Sequence, residues 1–539
     1  MVLIFYEKNL KPVKFLLIVK FHRLFSLEEG FVPASFIFMF RIIMWWNGLL
    51  DTSSLMLSNW FEVIFMELVP LAIERAYMTF LFPFAYQMKN RSQLSNVLKN
   101  EGFSFFSLNN TSLENAFYGH SISVTHEELA QFFYPFLEDK LFPKKLNSQD
   151  FLRFSKAYHT KGFLQHKDSH FDYEIISLDV TLCPFGNGIV TVRVSMTEHI
   201  QDISDVIHFI HYFRVLEAKL REEKEASHHF SFGDFSSTSE LLFKHFMPFL
   251  QPFLLHHQEN TYEGLPFFED ERMFSSGYLL CREGQAILDE HLFRLGQVDG
   301  RTPEGTPFIS STNPEYIADY VKDHTHQRWA PQSYIVTSAQ AQITISNMSL
   351  EKSKHNLEEF MGTHYYNLFI HYFYKMMLLK VSYEYSEISW GKDKLVVNEL
   401  IELITKFSAR YYFEEVVVRT EGREISQMLR KYFRINEHYT ETKATLDSLY
   451  RTQEDQSDNR SNKLLFILTV FTVISGIYGM NLVIEEWRDA NGLGSIWSYT
   501  IFEWVAFVTA LSGIGLSLIL VCITTIKSIR NQMRRYQRK

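Results

Sequence analysis

The last eighty residues of the chain differ from the rest in how apolar positions are arranged. Residues 464–484 and 504–526 carry no formal charge. At a rise of about 1.5 Å per residue, each run is long enough to cross a hydrocarbon core of about 30 Å. The second run also contains small residues, which permit close helix packing. The pattern predicts two transmembrane helices.

Upstream of the first run, the apolar spacing predicts one long helix. The segment from Ile435 to Asn462 contains neither Gly nor Pro, and its apolar residues recur at helical spacing. It continues directly into the first predicted span. We therefore expect a stalk helix, 435–463, that is continuous with that span and bundled with copies of itself.

Alternating patterns predict β-structure in the middle of the chain. Two alternating runs lie between Asp172 and Met196, and Pro184–Gly188 separates them. This arrangement predicts a β-hairpin. The alternation of Val, Thr and Ile from Tyr334 to Ser346 predicts a further strand.

Helical patterns complete the soluble region. Glu358–Ser386 and Val397–Arg434 are each predicted to be one helix. We expect residues 91–434 to form a cytoplasmic αβα and helical domain. Residues 1–90 are assigned only as an apolar N-terminal extension.

Flanking charge predicts how the two spans are oriented. The tail, 527–539, is basic and contains no acid, which places it in the cytoplasm. Both termini are then cytoplasmic, and the loop 485–503 faces outward. Its acidic residues, Glu485 and Glu486 among them, would concentrate cations at a pore mouth. The alternative is that they are ordinary solvent-exposed acids of a loop. The prediction is a multi-pass protein of the cell (plasma or inner) membrane, with the lipid bilayer as a partner.

Composition and charge narrow the function classes. A net charge of −9 disfavours a nucleic-acid partner. Three cysteines without a CxxC pair indicate neither a disulfide framework nor a thiolate zinc site. No convergent catalytic set is present, so an enzyme and a bound cofactor are not expected. His208 and His211 share one helix face, but two ligands do not make a metal site.

A short motif stands at the outer end of the first span: Tyr478, Gly479, Met480 and Asn481. With a short loop, one last span and a basic tail, it resembles the CorA-type magnesium channels and their zinc-transporting relatives. The resemblance implies an α+β membrane protein, a pentameric funnel whose cytoplasmic αβα domain leads through the stalk into the spans, the first of which (464–484) lines the pore. It also implies a homopentamer that passes divalent cations, chiefly Mg²⁺ with Co²⁺ and Ni²⁺ as further candidates, and that binds regulatory Mg²⁺.

The residue types of the motif suit this chemistry. Mg²⁺ loses its water reluctantly, so a ring of neutral Asn481 amides can hold the hydrated ion. Gly479 allows backbones to pass closely, and Tyr478 suits an interfacial position. The alternative is a helix end that uses Gly and Asn as a cap.

Two threonines deeper in the span are further candidates. Thr469 and Thr472 share one helix face, and the residue matching Thr472 lines the pore in the family. Nine residues of continuous helix would turn Asn481 to the opposite side, so a common axis requires the helix to end or unwind near Gly479. Alternatively, each hydroxyl bonds back to its own helix.

The pore entrance and the ion are less defined. Asp455 and Asn462 compete for the position of an entrance asparagine in the family. The motif serves zinc transporters of the same superfamily as well, with or without proton coupling. A more distant alternative is a two-span membrane-tethered sensor or scaffold.

Overall fold

The structure, a computed structural model, describes residues 68–167, 169–196, 202–220, 223–254, 272–302, 305–388 and 394–481, and isolated positions from 500 to 526. Its main feature is a single large β-sheet. The strands are β1 (Ile73–Ala85), β2 (Ser104–Phe105), β3 (Leu152–His166), β4 (Ser169–Leu182), β5 (Asn187–Met196), β6 (Ala226–Phe230), β7 (Gly233–Phe235), β8 (Phe274–Cys281), β9 (Thr325–His326), β10 (Ser333–Thr337) and β11 (Ala341–Ser346).

The sheet is mixed and has 11 strands in the described part of the chain. Its order is β7-β6-β3-β4-β5-β1-β8-β11-β10-β9, and β2 pairs with β3 at the side of this path. Every described pair is antiparallel except β8 with β11. The long central strand β1 pairs with β5 on one side and with β8 on the other.

Helices pack around the sheet and extend beyond it. They are α1 (Arg91–Asn100), α2 (His126–Phe132), α3 (Pro135–Leu141), α4 (Ile203–Phe213), α5 (Asp289–Gln297), α6 (Pro314–His324), α7 (Leu350–Glu359), α8 (Tyr365–Ser386), α9 (Lys394–Arg410), α10 (Thr420–Tyr432) and α11 (Ile435–Asn481). A π-helical stretch, Phe360–His364, joins α7 to α8.

The sequence of β1 explains why helices cover both faces of the sheet. Successive side chains of a strand point to opposite faces. Tyr77 and Leu81 belong to the core cluster that includes the aromatic residues of α8. Phe80 points the other way, and its ring lies 4.6 Å from that of Phe213 in α4. A strand that is apolar on both faces is typical of a sheet buried between two helical layers.

The predicted hairpin is confirmed. β4 and β5 pair antiparallel, with Leu182 opposite Gly188. In the turn, Gly186 has a φ of +75°, and a Cβ there would lie 2.7 Å from the Tyr86 carbonyl oxygen. Glycine is therefore required at this position both by conformation and by space.

Two element predictions need correction. The segment Tyr334–Ser346 contains two paired strands, β10 and β11, instead of one. The predicted helix Val397–Arg434 is divided into α9 and α10. In the break, the backbone of Val416–Val418 bonds to residues 132–134, where Val418 N–H donates to the Phe132 carbonyl at 3.0 Å. The β-branched residues 416–418 pair with a distant part of the chain, and this pairing interrupts the helix that the surrounding sequence predicts.

The long helix predicted to leave this domain is confirmed. α11 is an uninterrupted helix of 47 residues. At about 1.5 Å per residue it is about 70 Å long. It contains the whole predicted stalk and most of the first predicted span.

The predicted membrane architecture, and with it the multi-pass placement in a cell membrane with both termini inside, is wrong for the described part of the chain. There, no helix combines the length and the apolar character needed to cross a bilayer. Most of 504–526, the loop 485–503 and the tail 527–539 lie outside the described residues. What the structure shows is an α/β fold built on one large mixed sheet.

Candidate functional site

The candidate site lies on α11, whose first half is anchored in the α/β domain. Ile435 is fully buried at the start of the helix. The ring of Tyr439 stacks on that of Tyr412 at 3.7 Å. About three turns later, Leu449 is buried in a small cluster with residues of α8 and α9, namely Val381, Leu400, Ile401 and Ile404. The orientation of α11 is therefore set by apolar packing over roughly its first four turns.

Beyond this anchor, the helix exposes apolar side chains. Leu465, Phe466 and Leu468 are 60%, 70% and 61% exposed. Ile467 and Val470 are also exposed. Since consecutive helical positions differ by about 100°, these side chains cover the full circumference of the helix. A contiguous apolar surface of this kind marks a site of interaction.

Thr469 and Thr472 lie within this exposed segment, on one helix face as predicted. Each hydroxyl donates to the carbonyl oxygen four residues earlier: Thr469 to Leu465 at 2.7 Å and Thr472 to Leu468 at 2.8 Å. This is the alternative in which a threonine bonds to its own helix. The hydroxyl oxygens keep lone pairs available for a further donor.

The motif Tyr478–Asn481 lies at the far end of the same helix. The backbone remains helical through Gly479 to Asn481. Nine residues of helix separate Thr472 from Asn481, which places the two positions on opposite faces. To point to one axis, Asn481 and the threonines would need the helix to unwind near Gly479, and it does not unwind there. One straight helix face therefore does not contain both Asn481 and the two threonines.

The other predicted pore residues are only partly described. Asn462 is exposed beside Lys463 and, with Phe466 and Ile467, lines a shallow groove on the helix surface. Asp455 belongs to the same helix and precedes Asn462 by about two turns. Glu485 and Glu486 fall outside the described residues.

One histidine of the predicted pair, His208, contacts a third imidazole, that of His166. His208 Nε2 lies 3.2 Å from His166 Nδ1, a contact between two imidazoles. Burial lowers the pKa of His208 to about 3 and that of His211 to about 4, so both are neutral at pH 7. Among the described residues, no group of three or more His, Cys, Asp or Glu side chains is placed to hold a metal ion.

A buried charged cluster in the sheet was not predicted. Arg153, Asp179 and Arg193 come from the adjacent strands β3, β4 and β5 and point to the face covered by α8. Asp179 Oδ2 lies 2.9 Å from Arg153 Nε and 2.7 Å from Arg193 Nη1. Asp179 and Arg193 are 0% exposed. Burial alone would raise the pKa of Asp179, but the two guanidinium groups hold it below its usual value.

Aromatic residues of α8 complete this cluster. Arg153 Nη1 donates to the Tyr366 hydroxyl at 2.7 Å, and the Arg193 guanidinium lies 4.8 Å from the ring centre of Tyr365. Two cations share one carboxylate, so the cluster carries a net positive charge that ring faces help to stabilise. In the sequence, the cluster is indicated only by charged residues at inward-facing positions of strands that are otherwise apolar.

The chain was also compared with known proteins. No protein-family model matches it, and the comparisons with curated proteins and with solved structures find no match.

Proposed function

We propose that the chain is one subunit of a divalent-cation transporter of the CorA type, for which Mg²⁺ is the first candidate ion. The observation that carries the proposal is the motif Tyr478–Asn481 at the far end of a single 47-residue helix. That helix is fixed at its other end in a folded domain. In the family that the motif resembles, the Asn of this motif holds the hydrated ion.

Oligomerisation would cover an apolar surface that no described residue covers. The apolar surface around Leu465–Val470 has no cover within the described part of the chain, and symmetric association of copies removes such a surface from water. A closed ring of subunits also brings several copies of one residue to a common axis. Five copies is the number that the resemblance implies.

Of the two polar sets on the helix, Asn481 is the one assigned to ion binding. Thr469 and Thr472 already use their hydroxyl protons within the helix. Thr472 also lies on the face opposite Asn481, and Thr469 lies about 120° around the helix from it. In this proposal they pack between copies and do not line the ion path.

The test is ion uptake by the purified full chain reconstituted with lipid vesicles, with Mg²⁺ and Zn²⁺ measured separately, with and without a pH gradient. Since no spanning helix is found among the described residues, stable association with the vesicles is the first result required. Mg²⁺ uptake independent of the pH gradient supports a channel. Uptake restricted to Zn²⁺ and driven by protons supports the zinc branch of the superfamily.

The matched variants are Asn481→Ala and Asn109→Ala, the latter an exposed asparagine in a turn of the α/β domain. Asn481→Ala is expected to abolish uptake while Asn109→Ala leaves it unchanged. Failure of the chain to associate with vesicles, or unchanged uptake in Asn481→Ala, would overturn the proposal.

A further inference from the structure

The buried charged cluster of the sheet contains hydrogen-bond donors that its own residues do not use. Arg153 Nη2, Arg193 Nε and Arg193 Nη2 are buried, and none of these nitrogens bonds to a described residue. Each carries at least one N–H group, since a guanidinium group is always protonated. Buried donors are almost always bonded to protein, water or an ion, so these donors indicate a further acceptor.

The carboxylate of the cluster is not that acceptor. Asp179 Oδ2 binds Arg153 through Nε and Arg193 through Nη1, at 2.9 Å and 2.7 Å. The unused donors are on the other nitrogens of the two side chains. Asp179 therefore fixes both guanidinium groups in place and leaves their remaining N–H groups for a different partner.

The two guanidinium groups are close neighbours. Besides sharing Asp179, both lie beside the same two rings. The central carbons of Arg153 and Arg193 are 5.6 Å and 5.4 Å from the ring centre of Tyr118, and 5.8 Å and 4.8 Å from that of Tyr365. Ring faces attract the cations, but an N–H group bonds only weakly to a ring.

Two tyrosine hydroxyls add further donors at the same place. Arg153 Nη1 donates to the Tyr118 hydroxyl at 3.2 Å and to the Tyr366 hydroxyl at 2.7 Å. A hydroxyl that accepts a hydrogen bond still has its own proton to donate. These two bonds are the ones that the two hydroxyls make with described residues, so both protons remain available to an acceptor.

The charge of the cluster favours an anion as the acceptor. No other described carboxylate lies within ion-pair distance of either guanidinium group. The two guanidinium groups hold the pKa of Asp179 below its usual value, so the carboxylate is ionised at pH 7. Two positive groups against one negative group leave a net charge that is expensive to bury. A water molecule would bond to the donors without neutralising this charge, whereas a monovalent anion does both.

We propose that the cluster binds one chloride ion, held by the unused N–H groups of Arg153 and Arg193 and by the hydroxyls of Tyr118 and Tyr366. Charge-assisted hydrogen bonds from several donors suit an ion that accepts in every direction. Asp179 and Arg193 are 0% exposed, and an enclosed site of this kind suits a small ion. The site lies on the sheet and does not depend on cation transport by α11.

The direct test is denaturant unfolding of the full chain in chloride, bromide or gluconate at constant ionic strength, which keeps the screening of surface charges fixed. If the folded chain binds one halide ion, a tenfold rise in halide above its dissociation constant raises the folding equilibrium constant about tenfold. Gluconate is too large for an enclosed site and should have no such effect. A folding constant that is independent of halide would overturn the proposal.

Variants of the cluster should change this dependence in opposite directions. Arg193→Met leaves Arg153 and Asp179 as a neutral pair, so the halide dependence should be lost. Asp179→Asn raises the net positive charge and should shift the dependence to lower halide concentration. The matched control, Arg328→Gln, removes an exposed arginine paired with Glu424 at 2.9 Å and should keep the wild-type dependence. Wild-type dependence in Arg193→Met would overturn the assignment.

A measurement on the unchanged chain covers the case in which these variants fail to fold. Crystals of the full chain in sodium bromide give an anomalous signal wherever bromide is bound. A bromide peak between Arg153 Nη2 and Arg193 Nη2 is expected. Bromide peaks at the protein surface alone would contradict the proposal.

Discussion

The α/β domain and the far half of α11 differ in how far their apolar side chains are buried. In the domain, apolar side chains are covered by the chain itself, and even charged groups such as Arg193 and Asp179 are fully buried against partners. On α11, Leu449 is fully buried, whereas Leu465, four turns further on, is 60% exposed. The domain is thus stabilised within one chain, whereas the far half of the helix exposes apolar side chains that no described residue covers. Four predictions test this comparison.

The largest effect is expected from breaking the buried cluster of the domain. Asp179→Ala leaves Arg153 and Arg193 buried without their carboxylate, which typically costs about 3–5 kcal/mol of unfolding free energy. The control is Asp234→Ala, whose carboxylate is 76% exposed beside His229 and should change the free energy by less than about 0.5 kcal/mol. Denaturant unfolding measures both. Equal effects would mean that the cluster does not stabilise the domain.

A matched pair on α11 tests the boundary between the two regions. Leu449→Ala removes a fully buried side chain and should lower the free energy of unfolding by about 2–5 kcal/mol. Leu465→Ala should leave the stability of the single chain almost unchanged and should instead weaken association of copies, measured by sedimentation. If Leu465→Ala destabilised the isolated chain as much as Leu449→Ala, the far half of the helix would be packed within its own chain.

The domain should also lose stability in mild acid. Burial lowers the pKa of His228 to about 3, while the unfolded chain has the ordinary value of 6.5. Below pH 6.5 the unfolded state gains protons that the folded state does not, so this stability is present above pH 6.5 and is lost as the pH falls toward 3. His228→Gln should reduce the slope of unfolding free energy against pH in this window. An unchanged slope would show that His228 titrates normally in the folded chain.

The smallest effect is expected at Thr472. Its hydroxyl bonds only within the exposed helix, so Thr472→Val should change the stability by less than about 0.5 kcal/mol. Ion uptake should change far less than in Asn481→Ala. Loss of uptake as complete as in Asn481→Ala would place Thr472 on the ion path, contrary to the assignment made above.

The sequence predicted elements whose patterns are local. The hairpin around Gly186 and the long helix from Ile435 were both found, because turn glycine and an unbroken helical spacing act within a few residues. The division of Val397–Arg434 was missed, since the backbone bonds of Val418 reach residues far away in the chain. A single sequence does not contain that pairing.

The site was less predictable than the fold. Counting uncharged residues predicted spans at 464–484 and 504–526, whereas no helix among the described residues is long and apolar enough to cross a membrane. The buried cluster of Arg153, Asp179 and Arg193 was missed because these residues lie on three different strands, and only the pairing of those strands brings them together. The role of Asn481 in ion binding stays a prediction.

The central claim is that several copies of this chain cover each other's far helices and bring Asn481 to a common axis. Its most direct test is the mass of the purified native particle, measured by native mass spectrometry or by light scattering. The account predicts a closed homo-oligomer of five copies that falls apart when Leu465, Phe466 and Leu468 are replaced together by polar residues. A stable, well-folded monomer at all concentrations would contradict it.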